Sequence, residues 1–199
     1  MKNNKINLLH KYILNKNVLE FGLGDYHPKD ENNFVYHLNK FSKNYTGIEL
    51  NEKRAKSFQK KNINVICGNA ETKKLNKKFD TLIADNFIEH IDNPGIFLEN
   101  CKSHMKNGSY LILSTPNAFS INRLIMGLLR FGNLPQYKEH VFLFTPQLLT
   151  ELLRRKKYKI ISYNYYNNDS NNIKGYFIKY FSKISKYFSE YFVIIAKLK

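Results

Sequence analysis

The residues best suited by type and spacing to do chemistry begin with Val18-Leu19-Glu20-Phe21-Gly22-Leu23-Gly24-Asp25: an apolar run, a carboxylate, then two glycines one residue apart. Such a run reads as a buried parallel strand turning sharply toward a helix, because glycine tolerates positive φ and lets a ligand approach the backbone. The loop is of nucleotide type. A dinucleotide fingerprint has a third glycine where this chain has His27, and no Gly-Lys-Ser/Thr completes a phosphate-cradling pattern, so a ligand without a pyrophosphate is favoured. About 25 residues after Gly24 a second apolar run ends on Glu49, the position from which an acid accepts hydrogen bonds from ribose hydroxyls. Further on, His90 follows Glu89, and histidine's near-neutral titration suits a general base. The alternative is that Glu89-His90 caps the next helix or orders its loop.

The elements that must position these groups follow from periodicity. Ile6, Leu9 and Ile13 stand at helical spacing before the first strand, and Pro28-Lys29-Asp30-Glu31 looks like a helix start leading to an apolar face of Phe34, Leu38 and Phe41. Further strands are expected at 45–50, 64–67, 81–84 and 110–114, separated by helix-compatible segments. One of these begins at Pro94, with a face of Ile96, Phe97, Cys101 and Met105, and is closed by Asn107-Gly108 as a left-handed cap. Strands alternating with helices, each strand ending in polar or glycine residues, predict an α/β fold: a Rossmann-like, doubly wound, mostly parallel sheet with the ligand at the strands' carboxyl ends.

Composition bounds the rest. The 199 residues suit one domain over 1–199, and no apolar stretch approaches the roughly 20 residues of a membrane span. Lys5, Asn7 and Lys11 interrupt the N-terminus too early for a secretory signal, so the cytoplasm is the expected compartment. Two cysteines, Cys67 and Cys101, are too few for a disulfide framework and read as core thiols. The formal charge of +16 admits an acidic partner such as nucleic acid or anionic lipid, but the lysine clusters fall in predicted loops and helix ends, where solvated surface is the preferred reading.

This order of motifs resembles the class I S-adenosylmethionine-dependent methyltransferases from about Val18 to Lys199. Phe79-Asp80 through Glu89-His90, Met105 to Tyr110, Ser114-Thr115-Pro116-Asn117 and Glu139-His140 through Thr145-Pro146 are similar to ubiquinone-biosynthesis-type and sugar or polyketide O-methyltransferases. The resemblance implies a seven-stranded sheet whose last two strands, near 159–163 and 192–196, form an antiparallel hairpin. It implies S-adenosylmethionine as cofactor, contacted by Glu20, Gly22, Gly24, Asp25, Glu49 and Leu50, by the turn Asn69-Ala70-Glu71, and by Asp85 and Asn86. Asp25 and Asn69 depart from the usual pattern, since the family more often has a small residue and an Asp there.

On this resemblance the reaction is methyl transfer, with O-methylation of a small molecule or glycan, such as a lipid-linked sugar, as the leading expectation. His90 and His140 are the candidate catalytic residues. His140 could close over the acceptor or pair with His90 around a metal, but ligands so scattered have no specific spacing, and no tightly held metal is expected. The chain lacks the Pro-preceded nucleophilic cysteine and the Pro-Pro-aromatic run that pyrimidine- and amine-methylating nucleic-acid enzymes carry, which disfavours nucleic acid as acceptor. An RNA methyltransferase and a non-catalytic cofactor-binding partner subunit are the alternatives. A substrate lid is expected within 117–140, where Ile121, Leu124, Ile125, Leu128 and Leu129 form a broad apolar helix face. An amphipathic insertion at 173–188 sets Phe177, Phe181, Ile184 and Phe188 among Lys174, Lys179, Lys183 and Lys186. That face either packs on the sheet or a second subunit, or lies on an anionic membrane at the inner membrane surface. Oligomeric state is open.

Overall fold

The computed structural model describes residues 2–24, 33–129, 139–167 and 173–199. In chain order the elements are α1 (Lys2–Ile13), β1 (Asn17–Phe21), α2 (Phe34–Phe41), β2 (Asn44–Glu49), α3 (Glu52–Gln59), β3 (Val65–Cys67), β4 (Phe79–Asp85), α4 (Pro94–His104), β5 (Met105–Pro116), α5 (Ile121–Leu129), α6 (Pro146–Arg155), β6 (Tyr158–Tyr166), α7 (Ile173–Ile184) and β7 (Tyr191–Leu198). The strands form one seven-stranded sheet in the order β3-β2-β1-β4-β5-β7-β6. The five from β3 to β5 are parallel, and β7 inserts antiparallel between β5 and β6. This is the expected Rossmann-like sheet.

Both faces are covered because the central strands alternate their apolar side chains. Leu19 and Leu82 join a core with Phe97 and Leu98 of α4 and Leu149 and Leu153 of α6. Val18 and Ile83 join the opposite core with Ile6, Leu9 and Ile13 of α1, Leu38 of α2 and Phe58 of α3. A strand buried on both faces reads as a continuous apolar run, and for that reason 81–84 was legible as sequence. Both cores hold the sheet rigid while its carboxyl edge stays open.

The structure corrects several local expectations. Ile96 is 52% exposed, and Leu98 supplies the buried contact assigned to it. α4 ends at His104, and Asn107-Gly108 does not cap it: Gly108, with φ of 85°, lies inside the long strand β5, whose pairing with β4 shifts between Phe79 and Thr81. Cys101 is buried but Cys67 is exposed at the end of a short edge strand. α2 begins after Asn33, whose side chain accepts a hydrogen bond from the Tyr36 N–H, and the start expected at Pro28 to Glu31 lies outside the described residues.

Candidate active site

β1 ends at Phe21, and the chain turns through Gly22 and Gly24 with φ of 68° and 67°. The Gly22 N–H donates to the Ile48 carbonyl at 2.9 Å, which pins the loop to the end of β2. A side chain at Gly22 has no room, because a Cβ there would stand 2.1 Å from Cδ2 of Phe87. Glu49 completes the junction: its Oε2 accepts from the Leu23 N–H at 3.1 Å, and its Oε1 accepts from the Asn51 N–H at 2.9 Å and the Arg54 guanidinium at 3.3 Å.

A cleft of about 800 Å³ opens over this junction at the carboxyl edge of the sheet. Gly22, Gly24, Glu49 and Leu50 reach it from β1 and β2, and Asn69, Ala70 and Glu71 from the turn after β3. Asp85, Asn86 and His90 reach it from the end of β4. Glu20 is not on the wall. It lies 1% exposed behind the loop, where the Tyr45 hydroxyl donates to its Oε2 and burial pushes its carboxyl up to about 8. A strand residue between two core neighbours points into the layer behind the cleft, so Glu20 supports the loop. Asp25 lies outside the described residues. Sequence reasoning missed Asn51, Arg54 and Phe87, which also line the cleft.

At the end of β4 the Asp85 carboxylate accepts from the Lys5 ammonium of α1 and the Ser114 hydroxyl of β5. Asn86 turns through φ of 46°, its N–H donating to the Ser114 carbonyl at 3.0 Å, while its buried Oδ1 takes no hydrogen bond. Lys5 carried no signal in the sequence, because a lysine on a surface-type helix looks solvated until the fold brings it to a carboxylate.

Glu89 is 1% exposed. Its Oε2 accepts from the Thr115 hydroxyl at 2.9 Å, its Oε1 takes no hydrogen bond from another residue, and burial pushes the carboxyl up to about 7. Its backbone carbonyl accepts the N–H groups of Val141 and Phe142, at 2.8 and 3.1 Å, so the segment before α6 is stitched to the end of β4. That stitch brings the rings of His90 and His140 to 4.6 Å between centroids at 81°. His90 Nδ1 lies 3.0 Å from the Glu139 carbonyl, an acceptor only, so Nδ1 carries the proton and Nε2 the lone pair. Burial, with His90 and Arg123 nearby, pushes His140 down to about 4. His104, by contrast, is a satisfied core residue whose Nε2 accepts from the Leu75 N–H at 3.0 Å.

A family model described as a methyltransferase domain matches residues 4–163. The chain belongs to this methyltransferase family. Solved structures agree with the methyltransferase fold. A SAM-dependent methyltransferase from Archaeoglobus fulgidus superposes with a TM-score of 0.69 at 20% identity, over 99% of this chain and 94% of that one. An S-adenosylmethionine-dependent methyltransferase from Clostridium acetobutylicum ATCC 824 gives 0.67 at 13%, over 99% and 90%. The glycopeptide N-methyltransferase MtfA in complex with (S)-adenosyl-L-methionine gives 0.65 at 13%, over 98% and 86%. No curated protein matches the chain. The methyltransferase places its glycine loop and its Glu89, His90 and His140 cluster at one edge of the sheet, and no helix among its described residues is long and apolar enough to cross a membrane.

Proposed function

We propose that this methyltransferase uses S-adenosylmethionine to methylate a hydroxyl of a small molecule or glycan. One observation carries the reading: a glycine loop tied to Glu49 and a proton-handling residue, His90, line the same cleft. The wall fits the cofactor's parts. Gly22 and Gly24 admit close approach to backbone, Glu49 stands where ribose hydroxyls would donate, and Asn86 Oδ1 is a buried acceptor open to an N–H donor. When bound, the cofactor supplies an electrophilic methyl group on a positively charged sulfur. The chain's own work is then to hold the acceptor in line and take up its proton. His90 Nε2 is the candidate proton acceptor, with Nδ1–H anchored on Glu139, while His140 stays neutral at physiological pH beside it. The same fold serves a glycopeptide N-methyltransferase, so the acceptor atom is chosen by the site and not by the sheet.

Calorimetric titration with S-adenosylmethionine and S-adenosylhomocysteine, with NAD as control, tests the cofactor assignment. Binding of the first two and not of NAD is expected. Failure of both sulfur compounds to bind would overturn it. Transfer of labelled methyl to a panel of hydroxylated acceptors tests the O-directed reading, and transfer confined to amines would replace it.

The acceptor is further proposed to be met at a membrane surface, as for a lipid-linked sugar. α5 touches α7, and Leu128 and Leu129 of α5 and Phe177 and Ile184 of α7 remain exposed. Of the apolar stripe singled out in the sequence, Phe181 and Phe188 are half-buried while Phe177 and Ile184 stay exposed, so the domain covers it only in part. α5 does not line the cleft, which argues for a docking role for that helix; of the rest of the lid expected at 117–140, Glu139 lines the cleft and 130–138 lie outside the described residues. Flotation with vesicles containing anionic lipid is expected to carry the protein upward, and absence from the floating fraction would exclude the idea.

A further inference from the structure

Glu89, His90 and His140 bring one ligand atom each within 4.8 Å of one another at the rim of the cleft. We infer that these three residues form a binding site for a divalent cation of the zinc type, with an open position facing the cleft. The role given to that cation rests on the methyltransferase reading, whereas the site itself does not.

Three features point to a cation. The first is the donor set. Two histidines and a glutamate are the ligands of an open zinc site, which leaves a position for water or substrate, while magnesium and calcium favour all-oxygen sites. Donors at about 2.0–2.2 Å from an ion stand roughly 3.5 Å apart, so the set closes with modest rotation of His140, which is only partly buried. The second is Glu89. Its Oε2 is held by Thr115, but its Oε1 is buried and takes no hydrogen bond from another residue. A carboxylate oxygen left so is costly, and a cation beside it removes the cost. The third is the support behind His90. The Glu139 carbonyl fixes the Nδ1 proton and leaves Nε2 as the ligand atom, the outer arrangement common to metal-bound histidines.

The sequence offered the pairing of His90 with His140 around a metal, and their lack of a specific spacing argued against it. Glu89 and His90 are adjacent, and His140 arrives only because Val141 and Phe142 bond the Glu89 carbonyl. With the cation bound, His90 Nε2 is a ligand and the cation takes over the role given to it as proton acceptor: an acceptor hydroxyl at the open position would ionise beside the cation, which stabilises the oxyanion, and its proton would pass to water. The acceptor class is accordingly one with an oxygen able to ligate a metal: a phenol, a vicinal diol or a sugar hydroxyl.

The test is titration of the chelator-stripped full chain with Co2+, followed by the visible d–d absorption. One equivalent is expected to bind with the band strength of four- or five-coordination, to be displaced by Zn2+, and to shift on addition of acetohydroxamate, an oxygen ligand that probes the open position. His140→Ala, a change at the partly buried ligand, is expected to weaken cobalt binding by at least about tenfold without altering the circular dichroism. Glu89→Gln is expected to weaken it likewise. Absence of cobalt bands, or bands unchanged in His140→Ala, would overturn the site, and no response to acetohydroxamate would overturn the open position. Calorimetry with S-adenosylmethionine on the same stripped protein reports on the cofactor assignment separately, so either can fail while the other stands.

Discussion

The ammonium of Lys5, on the first helix, is bonded to the carboxylate of Asp85, eighty residues later at the end of β4, with side chains only 11% and 6% exposed. The Lys5 ammonium also lies 4.9 Å from the Phe34 ring centroid and 5.4 Å from that of Tyr166. A buried pair is expensive to break from one side, because the remaining charge has no water to solvate it. Lys5→Met is therefore expected to destabilise the domain by about 3–5 kcal/mol, read by urea denaturation. It should also weaken ligand binding in the cleft, since Asp85 loses the group that orients it. A variant as stable as the parent would show that the pair contributes nothing.

Gly22→Ala tests the loop. The added methyl combines a positive φ with a contact of 2.1 Å to the Phe87 ring, so the loop or the ring must move. Phe87 lines the cleft and leans on one core through Phe97, so some stability is expected to be lost while S-adenosylmethionine affinity, measured on the folded variant, falls at least about tenfold, or 1.4 kcal/mol. Equal affinity by calorimetry would refute the loop assignment.

Glu49→Gln removes the charge that gathers the Leu23 and Asn51 N–H groups and the Arg54 guanidinium. Loss of charge-assisted bonds to a ribose is expected to weaken cofactor binding by about 1–3 kcal/mol, measured by the same titration. Arg54→Gln removes one supporting group and should have a smaller effect in the same direction.

Glu20 gives the domain a pH dependence. Its folded value of about 8 stands above the ordinary 4.5, chiefly because burial disfavours the charged form. Between these values the unfolded chain has lost the proton that the folded chain keeps, so this group's contribution to stability is complete below 4.5 and declines as pH rises toward 8. Glu20→Gln keeps an acceptor for Tyr45 and cannot ionise. Its melting temperature relative to the parent is expected to rise from pH 5 to pH 8, at up to about 1.4 kcal/mol of stability per pH unit. Parallel pH profiles for the two proteins would contradict the shift.

Much of the fold was legible because its signals are local. The runs at Val18–Phe21 and 81–84 are apolar but for Glu20 and Thr81 and are buried throughout, a consequence of cover on both faces, and the glycines and Glu49 mark strand ends where backbone conformation demands particular residue types. Gly108 shows the limit of such signals. Asn-Gly after an apolar helix face has the composition of a helix cap, but α4 stops at His104, and Asn107 and Gly108 fall in the irregularity of β5 between the Phe79–Met105 and Thr81–Tyr110 pairs, where Gly108 takes its positive φ. Ile96 went the same way, since helical spacing does not say which edge of an apolar stripe the sheet will cover.

The sequence by itself determined the order of strands and helices, the open edge of the sheet and the loop that faces it, because periodicity, glycine and proline act through the nearest few residues. Only the tertiary structure decided that Lys5 meets Asp85, that Glu20 stands behind the wall, and that His140 comes to His90. Those relationships join segments far apart in the chain, and they arise from register, burial and backbone bonds that exist only once the sheet has closed its two cores.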